Sequence, residues 1–175
     1  GIQVTIESLS GVFSARKLDS GTRLLLEKMI VKDEWKILDL GCGYGIIGIV
    51  AAKLAPNGKV ILIDVNKRAV MLARHNIALN KISNAKVYLG DLYNPVRGEK
   101  FNTIITNPPQ SAGWKIVKKI VEEAPRYLET KGILQVVARH RKGGSRIFNL
   151  MKEFFYETKI LGSRGGYKVY AGWRD

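Results

Sequence analysis

The sequence predicts a single α/β domain, a mostly parallel sheet with helices packed on both faces. Three observations carry that expectation. From Lys36 onward, short β-branched runs alternate with amphipathic helical stretches. A strand-glycine-helix passage opens the alternation at Ile37–Gly45. At 175 residues the chain is long enough for one hydrophobic core and too short for two ordinary domains.

Strands are expected at Lys36–Leu40, Lys59–Asp64, Lys86–Leu89, Phe101–Thr106 and Ile133–Ala138. Between them, Ala69, Leu72, Ala73, Asn76 and Leu79 recur at helical spacing, as do Ile116, Val117, Ile120, Val121 and Ala124, giving each helix one apolar face for the sheet. A further helix is expected near Ser145–Phe154. The tail then reads as two strands, Phe155–Leu161 and Tyr167–Trp173, joined by a turn at Ser163-Arg164-Gly165-Gly166. The N-terminal third differs: Ile2–Ile6 alternates like a strand, Val12–Gly21 reads as a polar loop bounded by glycine, and Thr22–Met29 reads as a helix. Neither a linker nor a repeat separates this part, so residues 1–175 are taken as one domain, with 1–30 as a segment covering the ligand and 36–175 as the core.

The charge balance points to a polyanionic partner. Lys and Arg number 29 against 15 Asp and Glu, a formal net charge of +14 that Glu-rich ion-pair networks cannot match. Nucleic acid is the expected partner. The longest apolar stretch, Gly45–Ala52, is too short to span a bilayer, and a lone cysteine, Cys42, builds no disulfide framework. With no basic-plus-apolar leader, the expectation is a soluble protein of the reducing cytoplasm. His75 and His140 have no metal-ligand spacing with other His or Cys, so no metal is expected.

Asp39-Leu40-Gly41-Cys42-Gly43-Tyr44-Gly45 ends the first strand of the alternating region in three alternating glycines. Such a turn lets the backbone approach a nucleotide and presents a helix N-terminus behind it. Gly43, Gly45 and Gly48 also fit G-x-G-x-x-G, with Asp64 about twenty residues on, so a nicotinamide dinucleotide is one reading. Asp39 favours another, because a carboxylate there repels a pyrophosphate and suits the cationic amino-acid end of S-adenosylmethionine. Asp64 then holds ribose hydroxyls, and Asp91 reaches the adenine amino group.

The fourth strand of that region ends in Asn107-Pro108-Pro109-Gln110, beside the switch point where open α/β sheets bind ligands. Two prolines stiffen the turn and remove N–H donors, leaving acceptors in the cleft. An exocyclic base amine is a poor nucleophile, its lone pair being delocalised into the ring. If the Asn107 side-chain oxygen and the Pro108 carbonyl each accept one amine hydrogen, the lone pair turns toward a methyl donor, and the same dipoles stabilise the charge developing on nitrogen. Cytosine C5 chemistry would need a cysteine nucleophile, but Cys42 lies inside the glycine loop and reads as a small packing residue.

With these motifs in place the chain resembles the small-domain class I RNA methyltransferases typified by the bacterial 16S ribosomal RNA guanine-N2 methyltransferases, and especially their stand-alone archaeal relatives. The resemblance runs through Gly11-Val12-Phe13-Ser14, Leu18-Asp19-Ser20-Gly21-Thr22, Asp39–Gly45, Asp64, Asp91-Leu92-Tyr93, Thr106-Asn107-Pro108-Pro109 and Gly165-Gly166-Tyr167. It implies a Rossmann-like, seven-stranded sheet with the last strand antiparallel, and a Phe13–Thr22 loop that closes over S-adenosylmethionine. The cofactor-binding set is then Asp39, Gly41, Gly43, Gly45, Asp64, Asn66, Asp91, Leu92, Asn107 and Thr22, and the catalytic set is Asn107, Pro108 and Pro109. Relatives often carry an aromatic residue after the two prolines to stack on the target base; this chain has Gln110, and Trp114 is the substitute the sequence offers.

Arg139-His140-Arg141-Lys142 follows the fifth of these strands, and Arg164 sits in the next turn. Arg139, Arg141, Lys142 and Arg164, with Lys17 from the covering loop, form the expected RNA-binding rim. The expected activity is methylation of guanine N2 in ribosomal RNA, with cytosine N4 or adenine N6 of rRNA or tRNA as alternatives. A catalytically inactive RNA-binding protein on the same fold is the alternative of another class.

Overall fold

The computed structural model describes residues 1–8, 11–14, 18–109 and 112–175, of which 11–14 are described by their backbone alone. Among these residues nine strands and five α-helices follow in the order β1 (Thr5–Ser8), β2 (Gly11–Ser14), α1 (Ser20–Lys28), β3 (Lys36–Leu40), α2 (Ile46–Leu54), β4 (Lys59–Asp64), α3 (Lys67–Leu79), β5 (Ala85–Leu89), β6 (Phe101–Thr106), α4 (Gly113–Glu123), β7 (Leu128–Arg139), α5 (Ser145–Phe154), β8 (Glu157–Arg164) and β9 (Tyr167–Trp173). Seven strands form one sheet in the order β5-β4-β3-β6-β7-β9-β8. The pairs among β5, β4, β3, β6 and β7 are parallel, and β9 runs antiparallel between β7 and β8. This is the Rossmann-like sheet with one reversed strand that the sequence reading anticipates.

Alternation along the central strands divides the core in two. Ile37, Val60 and Leu62 pack with Leu24, Leu25, Ile49, Val70 and Ala73 on the α1–α3 face, whereas Leu38, Leu40, Ile61 and Ile63 pack with Ile120, Val121, Ile147 and Met151 on the α4–α5 face. Both layers are apolar because a sheet covered on both sides has no solvent face. Close approach of α2 to the sheet depends on Gly48, where a Cβ would lie 2.4 Å from Leu62 Cδ2.

Several expectations shift. The Val12–Gly21 loop is part strand: Gly11–Ser14 pairs antiparallel with Thr5–Ser8 as a ribbon apart from the main sheet. The carboxamide of the fully buried Asn76 fixes β1 of that ribbon, accepting the Glu7 N–H at 2.8 Å and donating to the Glu7 and Tyr44 carbonyls at 2.9 and 2.8 Å. Asn76 thus belongs to the inward face of α3 as a clamp rather than as core. That face is rotated to Val70, Ala73 and Asn76, and Leu79 is exposed. Helix α1 begins two residues earlier than expected because Asp19 caps it, accepting the Thr22 N–H at 2.9 Å. Strand β7 begins at Leu128, and β8 runs on to Arg164, so the tight turn is Gly165-Gly166 alone, with the paired positive φ angles of 58° and 83° that a two-residue hairpin turn requires.

Candidate active site

Every element that feeds the site ends at the carboxyl edge of the parallel strands. The loop after β3 turns through Gly41, Gly43 and Gly45 at φ of 74°, 54° and 97°, angles that a side chain disfavours. A Cβ on Gly41 or Gly43 would meet nothing within 4 Å, so these glycines face open space, whereas Gly45 lies against Ala73. Five donors of the loop and the first turn of α2 are committed inside the protein: Gly41 and Cys42 N–H to the Ile63 carbonyl, Gly43 N–H to Asp64 Oδ2, Gly45 N–H to the Cys42 carbonyl and Gly48 N–H to Asp39 Oδ2, each at 2.9 Å. A pyrophosphate needs such donors, and two carboxylates stand behind them instead. Two carboxylates so placed disfavour a dinucleotide phosphate.

Asp39 is fully buried. Its Oδ2 accepts the Gly48 N–H, while Oδ1 accepts no hydrogen bond among the described residues. Burial, reinforced by the neighbouring Asp64 and opposed by the Gly48 N–H, pushes its carboxyl up to about 7. An orphaned acceptor beneath the loop fits a cationic group, which would favour the charged form. Asp39 sits behind the cavity wall rather than on it. Asp64, at the end of β4, is half-buried on the wall itself; each of its oxygens already accepts one backbone N–H, from Gly43 at 2.9 Å and Asn66 at 2.8 Å.

Two cavities meet at the Asn107 turn. The first, of about 430 Å³, is lined by Gly41, Gly43, Asp64, Asp91, Leu92 and the Asn107-Pro108-Pro109 turn, and it is closed on the α4 side by Ile116 and Ile120. Leu92 adopts a left-handed φ of 48°, an uncommon conformation for a branched side chain and one that recurs at ligand sites. The second cavity, of about 530 Å³, lies across the turn and is lined by Asp19, Trp114, Arg139, Lys142, Arg146 and Tyr167. Asn107, Pro108 and Pro109 line both.

The remaining sequence-chosen residues fall in different places. Thr22 is buried under the turn rather than in the first cavity. Its hydroxyl donates to Asp19 Oδ2 at 2.7 Å and accepts from Asn107 Nδ2 at 2.9 Å. Asn66 caps α3, its side chain accepting from Arg68 and Ala69 N–H, and it lies outside the first cavity. Cys42 is buried, and burial with the nearby Asp39 and Asp64 pushes its thiol far up, so no thiolate nucleophile stands there. Trp114 is half-buried with the Arg146 guanidinium 3.8 Å from its ring centroid, so one aromatic face is covered by a cation rather than open to a base. Gln110 and Lys17 lie outside the described residues, and so does part of the Phe13–Thr22 covering loop.

Arg139, Arg141 and Lys142 surround a third opening of about 530 Å³ with His140, Lys168 and the Gly165-Gly166 turn, and among the described residues no acidic one lines it. Arg139 Nε donates to the Tyr167 hydroxyl at 3.0 Å. Arg164 stands at the carboxyl end of β8 but is turned to α1, where Glu27 holds its guanidinium at 2.7 Å, so its charge is matched locally. Sequence reasoning missed Arg146 and Lys168 on these walls, and it held Asp19 and Tyr167 only as parts of motifs, without a role. Ile116 and Ile120 were legible only as a helix stripe.

A family profile described as "Methyltransferase small domain" matches residues 3–171. The chain belongs to that family. Among relatives of this small methyltransferase domain, the "Uncharacterized protein YbxB" of Bacillus subtilis is 38% identical over 167 residues, 94% of this chain and 83% of that protein. The "Ribosomal RNA small subunit methyltransferase C" of Haemophilus influenzae is 37% identical over 172 residues, 96% of this chain and 51% of that protein. The chain thus spans about half the length of the ribosomal RNA methyltransferases it matches. Among solved structures, the Thermus thermophilus 16S rRNA N2 G1207 methyltransferase, in complex with AdoMet and guanosine, superposes with a TM-score of 0.79 at 21% identity, over 99% of this chain and 50% of that one. A methyltransferase from Pyrococcus furiosus superposes with a TM-score of 0.74 at 22% identity, over 86% of this chain and 80% of that one. These likenesses show the same fold.

Proposed function

We propose that this small methyltransferase domain transfers a methyl group from S-adenosylmethionine to an exocyclic base amine in RNA, guanine N2 of small-subunit ribosomal RNA being the target. The observation that carries the reading is the Asn107-Pro108-Pro109 turn, which is the common wall of two cavities. A methyl donor on one side and a base on the other would meet there. The names of the ribosomal RNA methyltransferase relatives and the guanosine held by the superposed Thermus enzyme supply the base.

S-adenosylmethionine supplies an activated methyl group on a sulfonium centre. In the first cavity Asp64 offers its remaining lone pairs to ribose hydroxyls, Asp91 reaches the adenine amino group, and Ile116 and Ile120 exclude water from the apolar wall. Asp39 balances positive charge from behind the glycine loop. Across the turn, Asn107 Oδ1 and the Pro108 carbonyl each accept one hydrogen of the base amine, turning its lone pair toward the first cavity. The Pro109 carbonyl accepts the Ala112 N–H at 2.9 Å, and Pro109 stiffens the turn. No strong base is required, because a methylated aromatic amine cation is acidic and sheds its proton to water. The cavity bordered by Arg139, Arg141, Lys142 and Lys168 would hold backbone phosphates and leave base selection to the second cavity.

The test is methyl transfer from labelled S-adenosylmethionine to unmodified small-subunit RNA, followed by nucleoside mass spectrometry. Wild type should yield N2-methylguanosine; N4-methylcytidine or N6-methyladenosine would move the target base, and no transfer to any RNA would overturn the reading. Asn107→Ala should cut transfer about a hundredfold while leaving cofactor affinity within about twofold, the scale of losing one preorganised polar contact.

A further inference from the structure

We propose that Asp19 and Thr22 are positioning residues that set which way the Asn107 carboxamide faces, an inference that rests on the amine-methylating role given to Asn107 above. A Thr hydroxyl carries one hydrogen, and an ionised carboxylate only accepts. With Thr22 Oγ1 2.7 Å from Asp19 Oδ2, that hydrogen lies between them. Toward Asn107 the same hydroxyl therefore presents a lone pair, so the Asn107 atom 2.9 Å away must be the amide nitrogen. Its oxygen is thereby turned to the other side, as an acceptor for the substrate amine.

A reversed carboxamide would set Oδ1 against the Thr22 lone pair and offer N–H groups to an amine whose own hydrogens need acceptors. Thr22 is 4% exposed, so water is excluded from repairing the mismatch. The seat of the relay is equally constrained. Asp19 is fixed as the cap of α1 by its second oxygen, which accepts the Thr22 N–H at 2.9 Å. Gly21 lets that first turn lie on β9, since a Cβ there would stand 2.8 Å from the Tyr167 ring. The carboxylate, the hydroxyl and the carboxamide thus form one polarised chain from an exposed helix cap to the shared wall of the two cavities.

Three substitutions test it. Thr22→Val keeps the shape and removes the hydroxyl, Thr22→Ser keeps the hydroxyl, and Asp19→Asn keeps a good cap but not the polarity. Because the cap claims the single oxygen of Asn, its amide nitrogen would face Thr22, reverse the hydroxyl and turn Asn107 Oδ1 away from the cavity. In steady-state transfer to unmodified small-subunit RNA, Thr22→Val and Asp19→Asn should lower kcat about ten- to a hundredfold, with RNA KM and S-adenosylmethionine affinity by calorimetry within about twofold. Thr22→Ser should recover most of the loss. Wild-type kcat in Thr22→Val, a loss confined to cofactor affinity, or Thr22→Ser as impaired as Thr22→Val would overturn the relay. If Thr22→Val fails to fold, Asp19→Asn at an exposed site decides, and unchanged kcat there overturns it. A wild-type protein inert on RNA would instead remove the amine-methylating reading beneath it.

Discussion

Asp39→Asn should make the ligand-free protein more stable near pH 8 and the cofactor weaker to bind, and the gain in stability should vanish as the pH falls toward 5. Burial holds the Asp39 carboxyl at about 7 against an ordinary 3.8. A carboxyl raised in the fold costs nothing below its unfolded value, costs progressively more between the two values, and costs its full amount above the folded one. At about 1.4 kcal/mol per pKa unit, the full cost is roughly 4 kcal/mol, of which roughly 2 kcal/mol is present at about pH 5. Asn keeps an oxygen for the Gly48 N–H but places an unpaired amide nitrogen where Oδ1 stands, at a cost of about 1–3 kcal/mol that does not vary with pH. The stability of the variant relative to wild type should therefore grow by roughly 2–3 kcal/mol from about pH 5 to pH 8. Urea unfolding without ligand at the two pH values measures this. Calorimetry near pH 8 should show S-adenosylmethionine binding weakened about tenfold or more, as expected for losing a charged partner. A stability difference that is flat across this window, or a variant that binds the cofactor as wild type does, would refute the account of a carboxylate kept at a cost for a cationic ligand.

Neutralising Arg139 and Arg141 together to Gln should reduce the slope of log RNA affinity against log salt by about 1–2, each lost phosphate contact releasing close to one counterion fewer. Arg164→Gln should leave that slope nearly unchanged because Glu27 already matches its charge; fluorescence anisotropy over a salt series separates the two. Gly48→Ala should cost about 1–3 kcal/mol in urea unfolding, since its Cβ would stand 2.4 Å from Leu62 Cδ2 and push α2 off β4.

Where local pattern and tertiary role coincide, the sequence was sufficient. Lys36–Leu40, Lys59–Asp64 and Phe101–Thr106 are strands at the residues the β-branched runs mark, because a strand buried on both faces has to be a continuous apolar run bounded by turn residues. The helix at Ser145–Phe154 follows as directly. Pattern failed where a polar side chain from a distant segment supplies the structure. Alternation marks a strand at Ile2–Ile6, and the strand lies at Thr5–Ser8; nothing local anchors it beside α3, which the Asn76 and Asn80 carboxamides do across 69 and 75 residues of sequence. Periodicity placed Asn76 on the inward face but carried no sign that it would hold backbone rather than fill space.

The site divides in the same way. Gly41, Gly43, Asp64, Asp91 and the Asn107 turn could be chosen from sequence because each follows a strand, and parallel strands deliver their carboxyl ends to one edge. Direction was not legible. Arg164 ends a strand too, yet its guanidinium turns to Glu27 on α1. Asp39 looked like a wall residue and is buried beneath the loop. Thr22 looked like part of a cofactor cover, and its one proton instead polarises the chain that ends at Asn107. In each case the partner decides what the residue can do: a carboxylate can cap, balance a cation or orient a hydroxyl, and only its neighbours choose among these. The glycine loop shows the same logic in reverse. Its spacing fits a dinucleotide fingerprint, but with Gly41, Cys42, Gly43, Gly45 and Gly48 all donating inside the protein, and Asp39 and Asp64 taking two of those bonds, the field it presents suits a cation.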